Sequence, residues 1–163
     1  MTLDELYNAI YDWIVFIHPG IIVIRGNQNI PKQLQTYIII NYPPTSNLKN
    51  GSGNWQKADN TGKVNYTNQW TAAITIQEIG SGGGLLQKLI NDVNRQDVKD
   101  LFKIKKISFL RNENILDLTS LSEHIYEKRA SVDVYIHYVN EDSYSPGYIE
   151  TVETPVGTYL GKK

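Results

Sequence analysis

Residues 126–138 read YEKRASVDVYIHY, and their side chains alternate between an apolar and a polar series. The apolar series is Ala130, Val132, Val134, Ile136 and Tyr138. The polar series is Glu127, Arg129, Ser131, Asp133, Tyr135 and His137. A period of two over this length predicts a long strand with one buried face. We expect this strand to organise the core of the protein.

Length and composition predict a single domain. The chain has 163 residues, of which 40% are hydrophobic and 20% are charged, so it can bury one sizeable core. We predict a domain over residues 1–153, followed by a flexible C-terminal tail over residues 154–163, which is small, polar and glycine-bearing.

Charge and cysteine content narrow the classes of partner. With 16 basic and 17 acidic residues the net charge is -1, so no overall field attracts nucleic acid or an anionic membrane. The absence of cysteine excludes disulfides and thiolate metal sites and suits a reducing cytoplasm. The sequence contains no apolar run of about 18 residues, so we predict no membrane span. The opening residues, with Thr2, Asp4 and Glu5, do not resemble a signal peptide.

Hydrophobic periodicity predicts an α+β fold in which an N-terminal helix and a central helix pack on a mixed or antiparallel sheet. Apolar spacing predicts helices over 3–17, capped by Thr2 with Glu5, and over 84–103, with a break near Gln96. Strands are predicted over 21–25, 37–42, 69–79, 106–110, 126–138 and 148–152, with a turn at 111–114, an ambiguous segment at 115–121 and a turn at 141–147. The expected helical core residues are Leu6, Ile10, Trp13, Leu86, Leu89 and Val93.

The segment 45–68 is the least apolar part of the chain and is rich in asparagine and glycine. We predict a long polar loop or a hairpin arm, because loops of this length without structure of their own are uncommon and are usually functional or mobile. Trp55 is its one large apolar residue. It is a candidate anchor for a neighbouring subunit. The alternative is that Trp55 folds back on its own domain.

No group of residues predicts an active site, a cofactor or a metal. The glycine cluster 80–84 separates a strand from a helix, as phosphate loops do, but it matches neither a dinucleotide nor a P-loop pattern. The histidines, His18, His124 and His137, lack helical ligand spacing. No Gly-X-Ser-X-Gly sequence occurs in a strand-to-helix setting. We therefore expect a protein that is not an enzyme.

Two sets of charged residues are candidate contact surfaces. The polar face of the organising strand offers Glu127, Arg129, Asp133 and Tyr135, which together with Trp55 form our hypothesis for a subunit interface. The basic residues Lys103, Lys105, Lys106 and Arg111 are dense enough to contact phosphates of DNA. The alternative in each case is an ordinary solvated surface.

The order of elements and several short motifs resemble a known family. The motifs are the strand Ile21–Arg25, then Asn29–Pro31 before Tyr37–Ile40, and above all Tyr126–Val134, with its Glu-X-Arg-Ala start. In these features the chain resembles the neck or tail terminator-like proteins of tailed bacteriophages, from its N-terminal helix to about Val152.

The resemblance implies a structural virion protein that forms a homo-oligomeric ring, commonly of six subunits. Such a ring caps the tail tube and joins it to the head connector, so its partners are the tail tube protein, the connector proteins and, without sequence specificity, DNA passing through the ring. It implies location in the tail or neck of the virion, after assembly in the host cytoplasm. The alternatives are a related tail-completion or head–tail joining protein, or a small adaptor domain that binds a ligand or protein with the 45–68 arm.

Overall fold

A computed structural model describes most of the chain and positions the candidate surfaces. The described residues are 1–26, 28, 33, 35–41, 49–50, 54–55, 63–122, 125–144, 151–154 and 157–160. Within these ranges, no helix is both long enough and apolar enough to cross a bilayer.

Three α-helices and twelve strands occur in the described residues. The helices are α1 (Leu3–Ile17), α2 (Gly84–Asn91) and α3 (Gln96–Ile104), with a 3-10 turn (Asp92–Asn94) between α2 and α3. The strands are β1 (Ile22–Arg25), β2 (Tyr37–Asn41), β3 (Lys49–Asn50), β4 (Asn54–Trp55), β5 (Val64–Ile79), β6 (Ile107–Asn112), β7 (Leu116–Asp117), β8 (Ser120–Ser122), β9 (Ile125–Glu127), β10 (Arg129–Tyr144), β11 (Thr151–Thr154) and β12 (Gly157–Leu160).

The first helix forms as the sequence predicts. The backbone N–H of Glu5 donates to the Thr2 hydroxyl at 3.2 Å, and the backbone N–H of Thr2 donates to the Glu5 carboxylate at 2.6 Å. This capping box satisfies two early donors and places negative charge at the positive end of the helix. One side of α1 is buried through Leu6, Ala9, Ile10, Trp13, Ile14 and Ile17.

The main sheet is mixed, which confirms the predicted α+β class. Its strand order is β1-β2-β5-β10-β6, with β3 and β4 also paired to β5, and β7 paired to β10. The β1–β2 pair is parallel, whereas the other pairs of this sheet are antiparallel. Two separate antiparallel pairs, β8–β9 and β11–β12, accompany it.

The centre of the sheet is the long antiparallel pair of β5 and β10. Their register runs without a break from Val64 opposite Tyr144 to Ile79 opposite Arg129. At the usual rise per residue, each 16-residue strand spans roughly 50 Å. The N-terminal part of β5, before Trp70, lies in the segment predicted as a polar arm. At least residues 64–68 of that segment therefore form a strand.

The core lies between the helices and one face of the sheet. The predicted apolar series of β10 (Ala130, Val132, Val134, Ile136 and Tyr138) is buried there, as are all six predicted helical core residues. Trp13 of α1 packs edge-on against Phe102 of α3 and Phe109 of β6, with ring centroids 5.2 Å and 6.1 Å away. These contacts join both helices to the outer strand of the sheet.

The structure corrects several predicted boundaries. The organising strand begins at Arg129 instead of Tyr126, because Lys128 lies outside any strand and Tyr126 pairs with Leu121 in the separate hairpin β8–β9. Glu127 therefore lies on β9 and not on the polar face of β10. The strand also continues to Tyr144, through residues predicted as a turn. Likewise, β6 extends to Asn112, through the start of the turn predicted at 111–114.

The second predicted helix divides as expected, although the break comes at the 3-10 turn Asp92–Asn94, just before Gln96. At the C-terminus, the strand predicted over 148–152 is placed at Thr151–Thr154 within the described residues. It is followed by the strand Gly157–Leu160, inside the segment predicted as a flexible tail. The domain boundary at 153 and the flexibility of the tail stay predictions.

Candidate assembly surfaces

The face of β10 turned away from the helices carries two of the predicted interface residues. Asp133 accepts a 2.6 Å hydrogen bond from the hydroxyl of Thr75, its partner on β5. The guanidinium carbon of Arg111 on β6 lies 4.0 Å from the ring centroid of Tyr135, which is a cation–π geometry. Asp133 and Tyr135 are both half-buried. Contacts within one protomer thus hold these side chains in place, on a face that the helices do not cover.

Arg129 and Glu127 form a second group at the start of β10. Arg129 Nε donates to Glu127 Oε2 at 2.7 Å, across the break at Lys128. This ion pair joins β9 to the first residue of β10, while half of the Arg129 side chain stays exposed. The structure therefore brings Glu127 and Arg129 together, and it places Asp133 and Tyr135 further along the strand.

Trp55 lies on β4, where its strand partner is Tyr66 of β5. Its backbone is thus part of the sheet, at the part of β5 that lies in the polar arm. The side chain of Trp55 is outside the described part of the structure, so its role as an anchor stays a prediction.

The four residues of the predicted basic cluster lie on different elements. Lys103 is on α3, Lys105 and Lys106 follow that helix, and Arg111 is on β6. Three of them pair with carboxylates: Lys105 with Asp12, Lys106 with Glu141 at 3.3 Å and Arg111 with Glu113 at 2.9 Å. These ion pairs reduce the positive charge available to phosphates, and Lys103 has no such partner among the described residues.

The glycine-rich loop before α2 holds a carboxylate of the chain itself. Glu78, the last inward-facing residue of β5, is fully buried. Its carboxylate accepts hydrogen bonds from the backbone N–H groups of Gly83 at 2.9 Å, Leu85 at 2.9 Å and Leu86 at 3.0 Å, and from the Ser81 hydroxyl. The helix N-terminus that could have bound a phosphate is thus already filled by Glu78. Glu78 was not among the predicted functional residues. It continues the series of inward-facing residues of β5 and is separated from the glycine cluster by Ile79 alone.

Two of the three histidines lie in the described part of the chain. His18 Nε2 is 2.9 Å from the carbonyl oxygen of Leu85, and His137 is paired in the sheet with Thr71 and Ser108. His124 falls outside the described residues. The described residues contain no group of three or more histidines and carboxylates placed to hold a metal ion.

The structure also reveals a group of exposed apolar side chains, three of which fall in or at the end of the segment predicted as ambiguous, 115–121. It consists of five exposed side chains, which we call the apolar strip: Leu110, Leu116, Leu118, Leu121 and Tyr126. Leu110 lies on β6 beside the middle of β10, whereas the other four lie on or between β7, β8 and β9, near the start of β10. The sequence does indicate this surface, because residues 116–121 contain three leucines that follow no helical period.

A groove lies elsewhere on the same protomer, between α3 and β6. We call it the α3–β6 groove, and its volume is about 430 Å³. Its walls include the buried core side chains Val93, Phe102 and Ile107 and the half-buried Phe109. The polar residues Asn94 and Ser108 and the exposed side chains of Lys99 and Lys103 also border it.

Comparison with known proteins identifies one family. Residues 4–163, nearly the whole chain, match the family model described as phage neck terminator protein. No curated protein matches the chain.

Proposed function

The chain belongs to the phage neck terminator family, and from that membership we propose that it is a ring subunit that caps the tail tube and joins it to the head connector. Membership makes it a structural protein of the phage tail and neck. The single observation that carries the proposal is the extent of the match, which includes nearly all of α1, the helices α2 and α3, and every strand of the main sheet.

The architecture supports a subunit that joins others through different surfaces. The helices and one sheet face form a stiff core, while β5 and β10 extend beyond it as a long pair of polar strands. The apolar strip offers exposed leucines and a tyrosine, whereas the α3–β6 groove is bordered by two lysines. Contacts between unlike surfaces close into rings when the rotation between subunits permits.

Within this proposal, Trp55, Glu127, Arg129, Asp133 and Tyr135 contribute to contacts between subunits. A role in subunit contacts is best supported for Glu127 and Arg129, because their ion pair lies at the base of the exposed hairpin β8–β9. Asp133 and Tyr135 lie on the sheet face that the helices leave uncovered. Contact with DNA in the channel has weaker support, because three of the four basic residues already pair with carboxylates.

The experiment is to assemble phage particles without this protein and image them by negative-stain electron microscopy. We expect tails of uncontrolled length that are not joined to heads, because nothing stops tube growth or presents a surface to the connector. Purified protein added to such tails should bind one end of each tube and restore joining. Tails of normal length attached to heads in the absence of the protein would contradict the proposal.

Sedimentation of the purified protein at several concentrations tests the ring itself. We expect a closed oligomer, commonly of six copies, to accumulate as concentration rises, with ring-shaped particles in the same sample. A protein that stays monomeric at every concentration and never binds tubes would be evidence against a ring subunit.

A further inference from the structure

The main sheet has open strand edges on opposite sides. In the part of the chain that the structure describes, β1 pairs with β2 alone and β7 pairs with β10 alone. An open edge presents a row of backbone N–H and C=O groups that can pair with another strand. Each protomer therefore offers two edges, one at β1 and one at β7, to which a further strand can be added.

Backbone hydrogen bonds show which groups point to these edges. The N–H of Gly26, directly after β1, donates to a carbonyl of β2 at 2.8 Å. Because successive residues of a strand point to alternate sides, the N–H of Val23 points away from β2. The N–H of Leu118, directly after β7, donates to a carbonyl of β10 at 2.9 Å, so the N–H of Asp117 points away from β10. Val23 and Asp117 thus direct backbone groups to the two open edges.

The two edges lie at the same height of the sheet. Pairing across the strands forms one row from β1 to β7, which consists of Ile24, Ile39, Gln77, Ser131 and Leu116. A second row, two residues away, consists of Ile22, Tyr37, Ile79, Arg129 and Leu118.

Both rows lie on the sheet face that the helices leave uncovered, because Val23, which alternates with Ile22 and Ile24, packs against the core. Leu116 and Leu118 of these rows are 57% and 45% exposed. Two isoleucines at one edge of the sheet are therefore level with two exposed leucines at the other edge, on the same face.

The strand directions suit a contact between copies that are related by rotation. β2 is parallel to β1, and the direction reverses at each of the three further steps to β5, β10 and β7. β7 is therefore antiparallel to β1. A rotation about an axis parallel to the strands changes neither the direction nor the height of a strand. It brings β1 of one copy antiparallel to β7 of the next copy, at the same height.

We infer that β1 of one copy pairs with β7 of a second copy, so that the sheet continues from one subunit into the next. In this register the backbone groups of Val23 face those of Asp117 in the neighbouring copy. The contact joins two different edges and so uses both edges of every copy, whereas a two-fold contact between β1 strands leaves β7 open. The inference rests on the proposed ring and deepens it, because it names the strands that form the subunit contact.

A disulfide tests this register, because the natural chain contains no cysteine. In Ile24→Cys/Leu116→Cys, the two thiols lie opposite each other across the inferred contact, at a separation that permits a disulfide. Within one protomer they are four strand spacings apart, about 19 Å, so no intramolecular disulfide forms. After mild oxidation we expect a ladder of linked subunits that extends beyond the dimer on a non-reducing denaturing gel.

The matched control is Ile24→Cys/Leu110→Cys. Leu110 is 51% exposed, close to the 57% of Leu116, but it lies beside β10 about 15 Å from Leu116 along the strand. This control should give no ladder. If the wild-type protein forms rings but Ile24→Cys/Leu116→Cys gives no ladder, the inference is wrong while the ring proposal stands. Dimers of the single variant Ile24→Cys would also overturn the inference, since like edges would then meet.

Removal of one backbone donor provides the second test. Val23→Pro removes the N–H that points to the neighbouring copy but none that bonds to β2, and an edge strand tolerates proline at such a position. Circular dichroism should show a folded protein, whereas the concentration needed for half-assembly should rise about tenfold or more. Val23→Ala keeps the N–H and should assemble at nearly the wild-type concentration.

Three results of this second test would contradict the strand pairing. Equal loss of assembly in Val23→Ala would mean that the side chain, and not the backbone, forms the contact. An unfolded Val23→Pro would mean that this N–H serves the fold of its own protomer. If β1 instead binds a tail tube protein, Val23→Pro forms normal rings but fails to bind tubes.

Discussion

The backbone N–H of Leu86 donates a 3.0 Å hydrogen bond to the buried carboxylate of Glu78, and this bond joins the first turn of α2 to the end of β5. Because the same carboxylate also accepts from Gly83 and Leu85, it fixes the direction in which the helix leaves the sheet. The Glu78 carboxylate thus helps to fix the start of α2, whose Leu86 and Leu89 also pack in the core.

Replacement of this carboxylate should cost considerable stability. In Glu78→Gln the amide nitrogen faces backbone donors that it cannot satisfy, so we expect the free energy of unfolding to fall by about 2 kcal/mol. Glu78→Ala leaves all these donors without an acceptor and should lower it by about 3 kcal/mol or more. Urea denaturation followed by circular dichroism measures both changes.

The control for this prediction is Glu113→Gln, which removes an exposed carboxylate that pairs with Arg111. We expect little change, because exposed ion pairs contribute about 0–1 kcal/mol. Equal effects of Glu78→Gln and Glu113→Gln would show that the buried hydrogen bonds do not stabilise the start of α2.

Two neighbouring glycines should respond to alanine in opposite directions. Gly83 has a φ of +102°, and a Cβ there would lie 3.3 Å from the Cβ of Ala130, so Gly83→Ala should lower the free energy of unfolding by about 1 kcal/mol or more. Gly84 begins α2 without a positive φ, and a Cβ at this position would have no other atom within 4 Å. Gly84→Ala should therefore stabilise the protein by about 0.4–1 kcal/mol. Thermal unfolding of both variants checks the sign, and a stabilising Gly83→Ala would contradict the conformation of the loop.

Arg129→Glu should weaken assembly and leave the monomer folded. The substitution places a second carboxylate beside Glu127, whose side chain is 11% exposed, but position 129 is 46% exposed, so the new carboxylate can turn into solvent and the monomer should stay folded. Sedimentation measures assembly, and circular dichroism verifies folding. The reversed pair Glu127→Arg/Arg129→Glu restores the ion pair, and it should recover assembly if the pair acts by orienting the hairpin. If the reversed pair stays defective, Arg129 contacts the neighbouring subunit directly.

The turn between α2 and α3 should make the protein sensitive to acid. The Lys88 and Arg95 hydrogen bonds lower the pKa of Asp92, and the Arg95 guanidinium lowers the pKa of Asp97. A folded-state pKa below the unfolded value stabilises the native state above the unfolded value, and this stability is lost as pH falls through the lowered pKa. We therefore expect the melting temperature to decrease when the pH is lowered below about 4.

The variant Arg95→Gln removes the shared partner of Asp92 and Asp97. Its melting temperature should depend less on pH in this acid range, although it will be lower than that of the wild-type protein at neutral pH. Lys99→Gln is the matched control, because it removes one positive charge from the adjoining helix but no ion pair with a described residue. An identical pH profile for all three proteins would rule out this source of acid sensitivity.

Local patterns were enough to predict most of the elements. The capping residues Thr2 and Glu5, the helical spacing from Leu6 to Ile17 and the period of two in β10 each reflect interactions between near neighbours in sequence. The buried side of each element followed from the same patterns. These features could be predicted because they depend mainly on residues that are close together in the sequence.

The candidate surfaces were harder to predict because they depend on contacts between distant residues. Glu127 leaves the polar row of β10 because it pairs with Ser120 in the hairpin β8–β9. The predicted basic cluster loses much of its free charge to Asp12, Glu113 and Glu141. Sequence spacing does not show which carboxylate lies beside which cation.

The sequence by itself determined the α+β class, the buried faces and the family, because hydrophobic period and short motifs are properties of neighbouring residues. Only the tertiary structure decided that Glu78 fills the start of α2, that the apolar strip is exposed and that three of the four predicted basic residues pair with carboxylates. These features exist only after the chain has folded, because burial and pairing depend on which distant segments meet.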